Sequence, residues 1–416
     1  MRFKQSLYVA VFGAFSAAGA MPHAALAQTA PPAPAPPAPA TPPAAAAPAA
    51  PATVTLLAPG MNDVLAFPTN PNSIDAGPLG KWYIDGALTG LALAQTDRVA
   101  GDRTTALDIS NGQVFVQKVD GWWQFFVQAG AYSIPVLGAA YDPNDASHAT
   151  KNYYDPVPQA FLKLVPMDNL FIQAGKLPTL IGAESTFTFE NFNIERGLLW
   201  NQEPAVSRGV QVGYTLGPVA FNASLNDGYY SNRYNWLSGS AAWTVNPTNT
   251  LTFAAGGNLG HTGYQETPYA TPIAQNNSSI YNIIYTYNSA PWIITPYFQA
   301  QSINKDASIG LDKGTTSYAG ALLVSYSFDS YFSLAARGEF LITEGNASDG
   351  SANLLYGPGS KAYSFTVTPT YQFNRLFVRA DASWVGATSI TPGDAFGTSG
   401  TAKNQGRLLL ETGILF

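Results

Sequence analysis

The chain has 416 residues, of which 11% are charged and 13% aromatic, with 38 Gly, 31 Pro and no Cys. Lys and Arg total 20 against 26 Asp and Glu, a formal charge of −6, so no basic surface exists to neutralise nucleic-acid phosphates, and the lack of Cys excludes a disulfide scaffold or a thiolate-held metal. Past residue 30 no stretch of about 18 apolar, proline-poor residues occurs, which excludes a bundle of membrane-spanning helices. The richness in Gly, Thr, Ser, Asn, Tyr and Trp is a β-sheet composition.

Residues 1–27 read as a secretory signal peptide. Arg2 and Lys4 form its positive end, Leu7 to Ala20 its apolar stretch, and Ala25-Leu26-Ala27 a cleavage site, so the mature chain is expected to begin at Gln28. Removal takes away two basic residues and no acidic one, and the mature balance is 18 − 26 = −8. From Thr29 to about Thr53 the chain is almost only Ala and Pro, a composition that favours an extended polyproline II coil over a packed core. Residues 28–80 are read as a linker. A periplasmic spacer is its expected role, and contact with peptidoglycan is the alternative. Between Val54 and Gly80 four prolines (Pro59, Pro68, Pro71, Pro78) leave no element expected.

From Lys81 onward the pattern has a period of two, that of strands with two different faces. In Val219 to Asn226, Val219, Phe221, Ala223 and Leu225 share one face, and Asn222, Ser224 and Asn226 the other. In Phe332 to Leu341 the apolar face is Phe332, Leu334, Ala336 and Phe340, against Ser333, Arg337 and Glu339. In Leu376 to Trp384, Arg379, Asp381 and Ser383 oppose Leu376, Val378, Ala380, Ala382 and Trp384. Short turns fall near residues 119–121, 166–169, 216–218, 246–249, 288–291, 328–330 and 373–375. Long connections lie between them, roughly at 94–106, 131–156, 178–208, 227–235, 257–279, 301–317, 343–361 and 386–406. A β-sandwich has no reason to sort its connections in this rotation. A transmembrane antiparallel β-barrel does, with short periplasmic turns and long extracellular loops. Eight long loops imply about 16 strands over 81–416, with fourteen or eighteen left open.

Aromatics mark both ends of these strands. Trp82, Trp123, Tyr214, Trp243, Tyr287, Trp292, Tyr326, Phe332 and Tyr371 fall near the short turns. Tyr281, Phe298, Tyr318, Phe340, Tyr363 and Trp384 fall near the long loops. Two such rings suit the two headgroup layers of a bilayer. The last strand, Arg407 to Phe416, sets Leu408, Leu410, Ile414 and Phe416 on one face and Arg407, Leu409, Glu411 and Gly413 on the other. A closed barrel requires it to pair with the first strand, expected near Trp82 to Thr89.

Several local motifs carry a family likeness. They are Phe171-Ile-Gln-Ala-Gly-Lys-Leu-Pro-Thr-Leu-Ile-Gly-Ala-Glu184, then Glu190-Asn191-Phe192-Asn193-Ile194-Glu195-Arg196-Gly197, Glu203-Pro204 and Arg208-Gly209-Val210. Asn111 to Gly130, Leu225-Asn226-Asp227-Gly228 and Ala336-Arg337-Gly338-Glu339-Phe340 extend it. The sequence resembles the OmpL-like β-barrel porins, a Gram-negative outer-membrane family, over nearly the whole chain past residue 80. The resemblance implies a porin-type barrel in the bacterial outer membrane. It carries over no ligand residues, and it does not include the Ala/Pro tract.

The third long connection, 178–208, is the longest and the richest in charge, with Glu184, Glu190, Glu195, Arg196, Glu203 and Arg208. By analogy with trimeric general porins, this loop is expected to fold inward and narrow the channel. Inward strand positions bring Arg337, Glu339, Arg379, Asp381, Arg407 and Glu411 into the lumen, where water tolerates charge. Two arrangements stay open. Wall arginines facing loop carboxylates would set a transverse field that selects solutes by charge and dipole. Alternatively, Arg337–Glu339, Arg379–Asp381 and Arg407–Glu411 pair along or between neighbouring strands. The net charge favours cations mildly.

No catalytic constellation emerges. His23 leaves with the signal peptide, and His148 and His261 sit in long loops without a Ser or Asp on a shared strand face. Asp142 with Asp145, or Asp349, offers oxygen ligands of a kind common in polar turns without metal. No cofactor is implied. The expected function is a porin passing small hydrophilic solutes or ions by passive diffusion. The alternative is a barrel serving mainly adhesion or envelope anchoring through its loops and the Ala/Pro tether. Outer-membrane lipids are the expected surroundings, and a homotrimer the expected assembly.

Overall fold

The computed structural model describes residues 55–60, 64–68, 71–143, 153–263 and 273–416. The stretch read as a signal peptide, the Ala/Pro tract up to residue 54, Asp145 and His148 lie outside them.

Seventeen strands follow in chain order: β1 (Asn72–Asp75), β2 (Lys81–Gln95), β3 (Thr105–Lys118), β4 (Trp123–Tyr132), β5 (Gln159–Met167), β6 (Leu170–Pro178), β7 (Val206–Leu216), β8 (Val219–Asn226), β9 (Trp236–Asn246), β10 (Asn249–Asn258), β11 (Ser279–Ser289), β12 (Trp292–Ile303), β13 (Thr315–Ser327), β14 (Phe332–Thr343), β15 (Lys361–Phe373), β16 (Leu376–Thr388) and β17 (Asn404–Leu415). Strands β2 to β17 pair antiparallel with their sequence neighbours, and β17 pairs with β2, so sixteen strands form a closed barrel. Connections at one end comprise residues 119–122, 168–169, 217–218, 247–248, 290–291, 328–331 and 374–375. At the other end they comprise 96–104, 133–158, 179–205, 227–235, 259–278, 304–314, 344–360 and 389–403.

Side-chain parity explains why these residues make a barrel rather than a soluble sheet. On β17, Leu408 and Leu410 are 57% and 49% exposed while Leu409 between them is fully buried. The outward face carries large apolar groups all the way round, such as Val212, Phe253, Ile283, Leu322, Phe365 and Trp384. So much exposed apolar surface is stable only against lipid.

The structure departs from the sequence reading at the chain's start. β17 meets β2 over Ala87–Gln95, further along the strand than Trp82–Thr89. Closing a tilted sheet staggers its edges, and the stagger leaves the first residues of β2 beyond the end of β17. That free edge is taken by β1, which pairs Asn72–Asp75 with Lys81–Ile84 where no element was expected.

The stretch read as linker also reaches inside. Ala58 and Leu65 are buried with inward-facing Ala87, Phe115, Phe377 and Leu415, and Leu57 and Phe67 pack beside them. The Gln117 amide takes the Leu57 N–H on Oε1 at 2.8 Å and donates to the Ala58 carbonyl at 2.7 Å. The Gln372 amide does the same with Ala66, at 3.0 and 2.8 Å. The reason is compositional: Leu56, Leu57, Val64, Leu65 and Phe67 restore apolar content after the Ala/Pro tract.

Candidate functional site in the barrel lumen

The strand period sets one wall of the lumen. Arg337 and Glu339 on β14, Arg379 and Asp381 on β16, and Arg407 and Glu411 on β17 all occupy inward positions, and every one is buried. What buries them is the connection between β6 and β7. It leaves β6 at Pro178, places Ile181 against Tyr229, Trp236 and Ile280, and crosses to the charged wall. Two glycines make the crossing possible. Gly182 has φ +85°, and a Cβ there would sit 1.8 Å from a Glu203 carboxylate oxygen. At Gly197 a Cβ would sit 2.2 Å from Glu339 Oε1.

Ion pairs and backbone groups then interlock. Arg337 Nη1 donates to Glu184 Oε1 and to the Glu195 carbonyl, both at 2.6 Å, and its Nε lies 3.2 Å from Glu339 Oε2. The second Glu184 oxygen accepts the Gly197 N–H at 3.0 Å. Arg379 grips Glu411 Oε2 through Nε and Nη2 at 2.9 and 2.7 Å, and donates to the carbonyls of Thr188 (2.6 Å) and Asn191 (3.0 Å). The Thr188 hydroxyl donates to Glu411 Oε1 at 2.6 Å. Glu195 accepts from Arg407 Nη1 at 2.8 Å and from the Ser383 hydroxyl at 2.7 Å, and its N–H donates to Asp381 at 2.9 Å. Asn193 donates to the Thr368 hydroxyl at 2.6 Å, which donates in turn to Asp381. Arg407 also reaches the carbonyls of Val136 and Ala139, so the 133–158 connection joins the network.

Each site residue named from the sequence can now be placed. Glu184, Glu190, Glu195, Arg196 and Glu203 lie buried in the inward-folded loop. Arg196 spends its guanidinium on carbonyls of Pro135, Thr186 and Ile194 rather than on a carboxylate. The pairing combines both arrangements left open above. Arg337 touches Glu339 on its own strand and Glu184 on the loop. Arg379 pairs across to Glu411 rather than along to Asp381, and Arg407 takes Glu195 rather than Glu411.

Arg208 requires correction. Strand parity on β7 places it outward with Val210 and Val212, at the long-loop end. There its Nε lies 2.7 Å from Asp227 Oδ2 and its guanidinium stacks 3.9 Å above the Tyr230 ring. Lys176, its cross-strand partner on β6, is likewise outward and donates to the carbonyls of Tyr154 and Val157 at 3.1 and 2.9 Å. Asp349, a candidate oxygen ligand, pairs with Lys313 at 2.6 Å.

Three loop carboxyls are pushed up by burial, and at Glu184 the Arg337 guanidinium works against that rise. Glu190 rises to about 8, although the Phe187 N–H donates to it at 2.9 Å. Glu203 rises well above the usual carboxylate range, and the charges of Glu184 and Glu339 push it the same way. Tyr297 is its hydrogen-bonding partner.

Sequence reasoning missed the hydroxyl and amide partners, namely Thr188, Asn193, Thr368, Ser383 and Ser364, whose hydroxyl donates to Glu339. The alternation does place Ser383 inward, but a face does not name a partner. It also missed the opposite wall. Lys163 on β5 shares the inward face with Phe161, between outward Leu162 and Leu164. Its ammonium lies 4.5 Å from the centre of the Phe171 ring, and its cross-strand neighbours are Gln124 and Gln173. Among the described residues no carboxylate pairs with it.

An apolar belt around a closed sixteen-strand barrel, with a charged inner wall and an inward loop, defines a porin-type outer-membrane barrel. The family model described as "Putative beta-barrel porin-2, OmpL-like" matches residues 82–416, and the chain belongs to that family. It is a protein of the bacterial outer membrane. No curated protein matches it. Among solved structures it is similar to the outer-membrane expressed OmpT of Vibrio cholerae (TM-score 0.56, 12% identity, 83% of this chain and 100% of that one). The anion-selective porin from Comamonas acidovorans gives TM-score 0.54, 11% identity, 80% of this chain and 99% of that one. A trimer form of in-vitro folded OmpT of Vibrio cholerae gives 0.53, 10%, 80% and 99%. At these identities the likeness is one of fold.

Proposed function

We propose that the barrel passes small hydrophilic solutes and ions by passive diffusion, and that the 178–208 connection sets the narrowest section of the path. One observation carries this reading. The loop is bonded at successive points to the inner wall, Glu184 to Arg337, Thr188 to Glu411, Asn193 to Thr368 and Glu195 to Arg407, and so cannot swing freely with the rim. The short turns belong on the periplasmic side and the long loops outside. A homotrimer follows the precedent of OmpT of Vibrio cholerae, which forms one.

Planar-bilayer recording tests the reading. The native protein should give stable open steps. Replacing residues 183–200 by a short Gly-Ser linker should raise the step size several-fold. A folded native protein that never conducts refutes the channel. An unchanged step after loop replacement refutes the loop as the narrowest section.

A further inference from the structure

The charges that dominate the sequence are spent inside the network. Arg337, Arg379 and Arg407 are bound by Glu184, Glu411 and Glu195, and all six groups are buried. A permeating ion meets them as neutral, closed pairs, which attract neither sign strongly. The wall formed by β5 to β10 is different. Apart from Lys163, its inward polar groups are amides and hydroxyls, such as Gln173, Gln211, Asn222, Ser240 and Thr252. On that wall Lys163 is partly exposed, held over Phe171, with uncharged cross-strand neighbours. Phe171 in turn lies over Gly213, where a Cβ would fall 2.0 Å from the ring, so the platform under the ammonium is fixed.

We infer that Lys163 is a selectivity-determining residue of the channel, a lumenal cation with no carboxylate partner among the described residues, which draws small anions against the negative balance of the whole chain. The inference rests on the channel reading above. Lumen charge acts at short range while charge beyond about 8–10 Å is screened, so one unpaired ammonium in the path outweighs acidic residues on the rim.

Reversal potentials in a potassium chloride gradient test it on the full-length mature protein. Lys163→Gln should lower the chloride-to-potassium permeability ratio about fourfold, since a unit charge felt across roughly 10 Å of water favours chloride and disfavours potassium about twofold each. Lys163→Arg should leave the ratio at the native value, because it keeps the charge and stacks equally well. Heat-shifted migration in detergent gels verifies that each variant has folded. A native ratio in the Gln variant, with conductance intact, overturns the assignment. So does an Arg variant that behaves like the Gln variant, since packing and not charge would then be at work. Absence of any conductance in the native protein instead removes the channel reading itself.

Discussion

At the scale of single residues, Arg337 holds two buried carboxylates, Glu184 from the loop and Glu339 from its own strand. Removing one partner of a buried pair leaves the other charge without solvent or counter-ion, at a cost of about 3–5 kcal/mol. Arg337→Ala strands two such charges. It should therefore destabilise the barrel by at least that range in guanidinium unfolding of the detergent-folded protein. Arg337→Lys should recover only part of the loss. A single ammonium cannot reproduce the fork that reaches Glu184 and the Glu195 carbonyl from one side while its Nε lies beside Glu339.

At the scale of the element, the inward loop is an irregular chain made rigid by side chains from β3 and from β11 to β17. Of its two helical turns, Thr188–Glu190 and Trp200–Gln202, each is too short to be stable alone, and the first shows what fixes it. It is held by Arg379 on its carbonyls and by Glu190, which accepts the Phe187 N–H. Because Glu190 titrates near 8 when folded and near 4.5 when unfolded, the folded state keeps a proton that the unfolded state has lost between those values. The stability it contributes is complete below about 4.5 and is lost as pH rises through about 8. Unfolding midpoints measured from pH 5 to pH 9 should fall with pH, and Glu190→Gln should flatten the fall. The loop also shows what a sequence can and cannot disclose. Strand parity put Arg337, Arg379 and Arg407 inward, because every second residue of a two-faced strand must follow its neighbours. Arg208 obeys the same rule and faces out. It was assigned to the pore by its place in a charged segment, whereas Val210 and Val212 beside it already marked its face. Which carboxylate each arginine takes depends on the path of an aperiodic loop, and no local pattern encodes that path.

At the scale of the whole molecule, sixteen strands were legible because the connections alternate in length and because the apolar face repeats along each strand. The inner filling was not. Phe115, Phe126 and Phe161 are inward residues that a water-filled lumen would leave wet, and they are buried under Phe187, Phe189 and the chain around Leu65. Their apolar character on a lumenal face is, in retrospect, the signal that something covers them.

The segment from Leu57 to Phe67 has a consequence for the barrel's weakest line. A cylinder made from one chain has a single seam between strands far apart in sequence, here β17 against β2. Gln117 stands on one flank of that line and Gln372 on the other, and the segment clasps both from within. It acts as an internal tie-bar, so hoop strength at the junction does not depend on one ladder of backbone bonds alone. Changing Gln117 and Gln372 together to Ala should lower the temperature at which the detergent-gel band shifts to the unfolded position. The same pair of changes at Gln113 and Thr370, two inward positions along β3 and one along β15 but outside the clasp, should lower it less. A barrel laced in this way resists being unzipped sideways into the surrounding lipid.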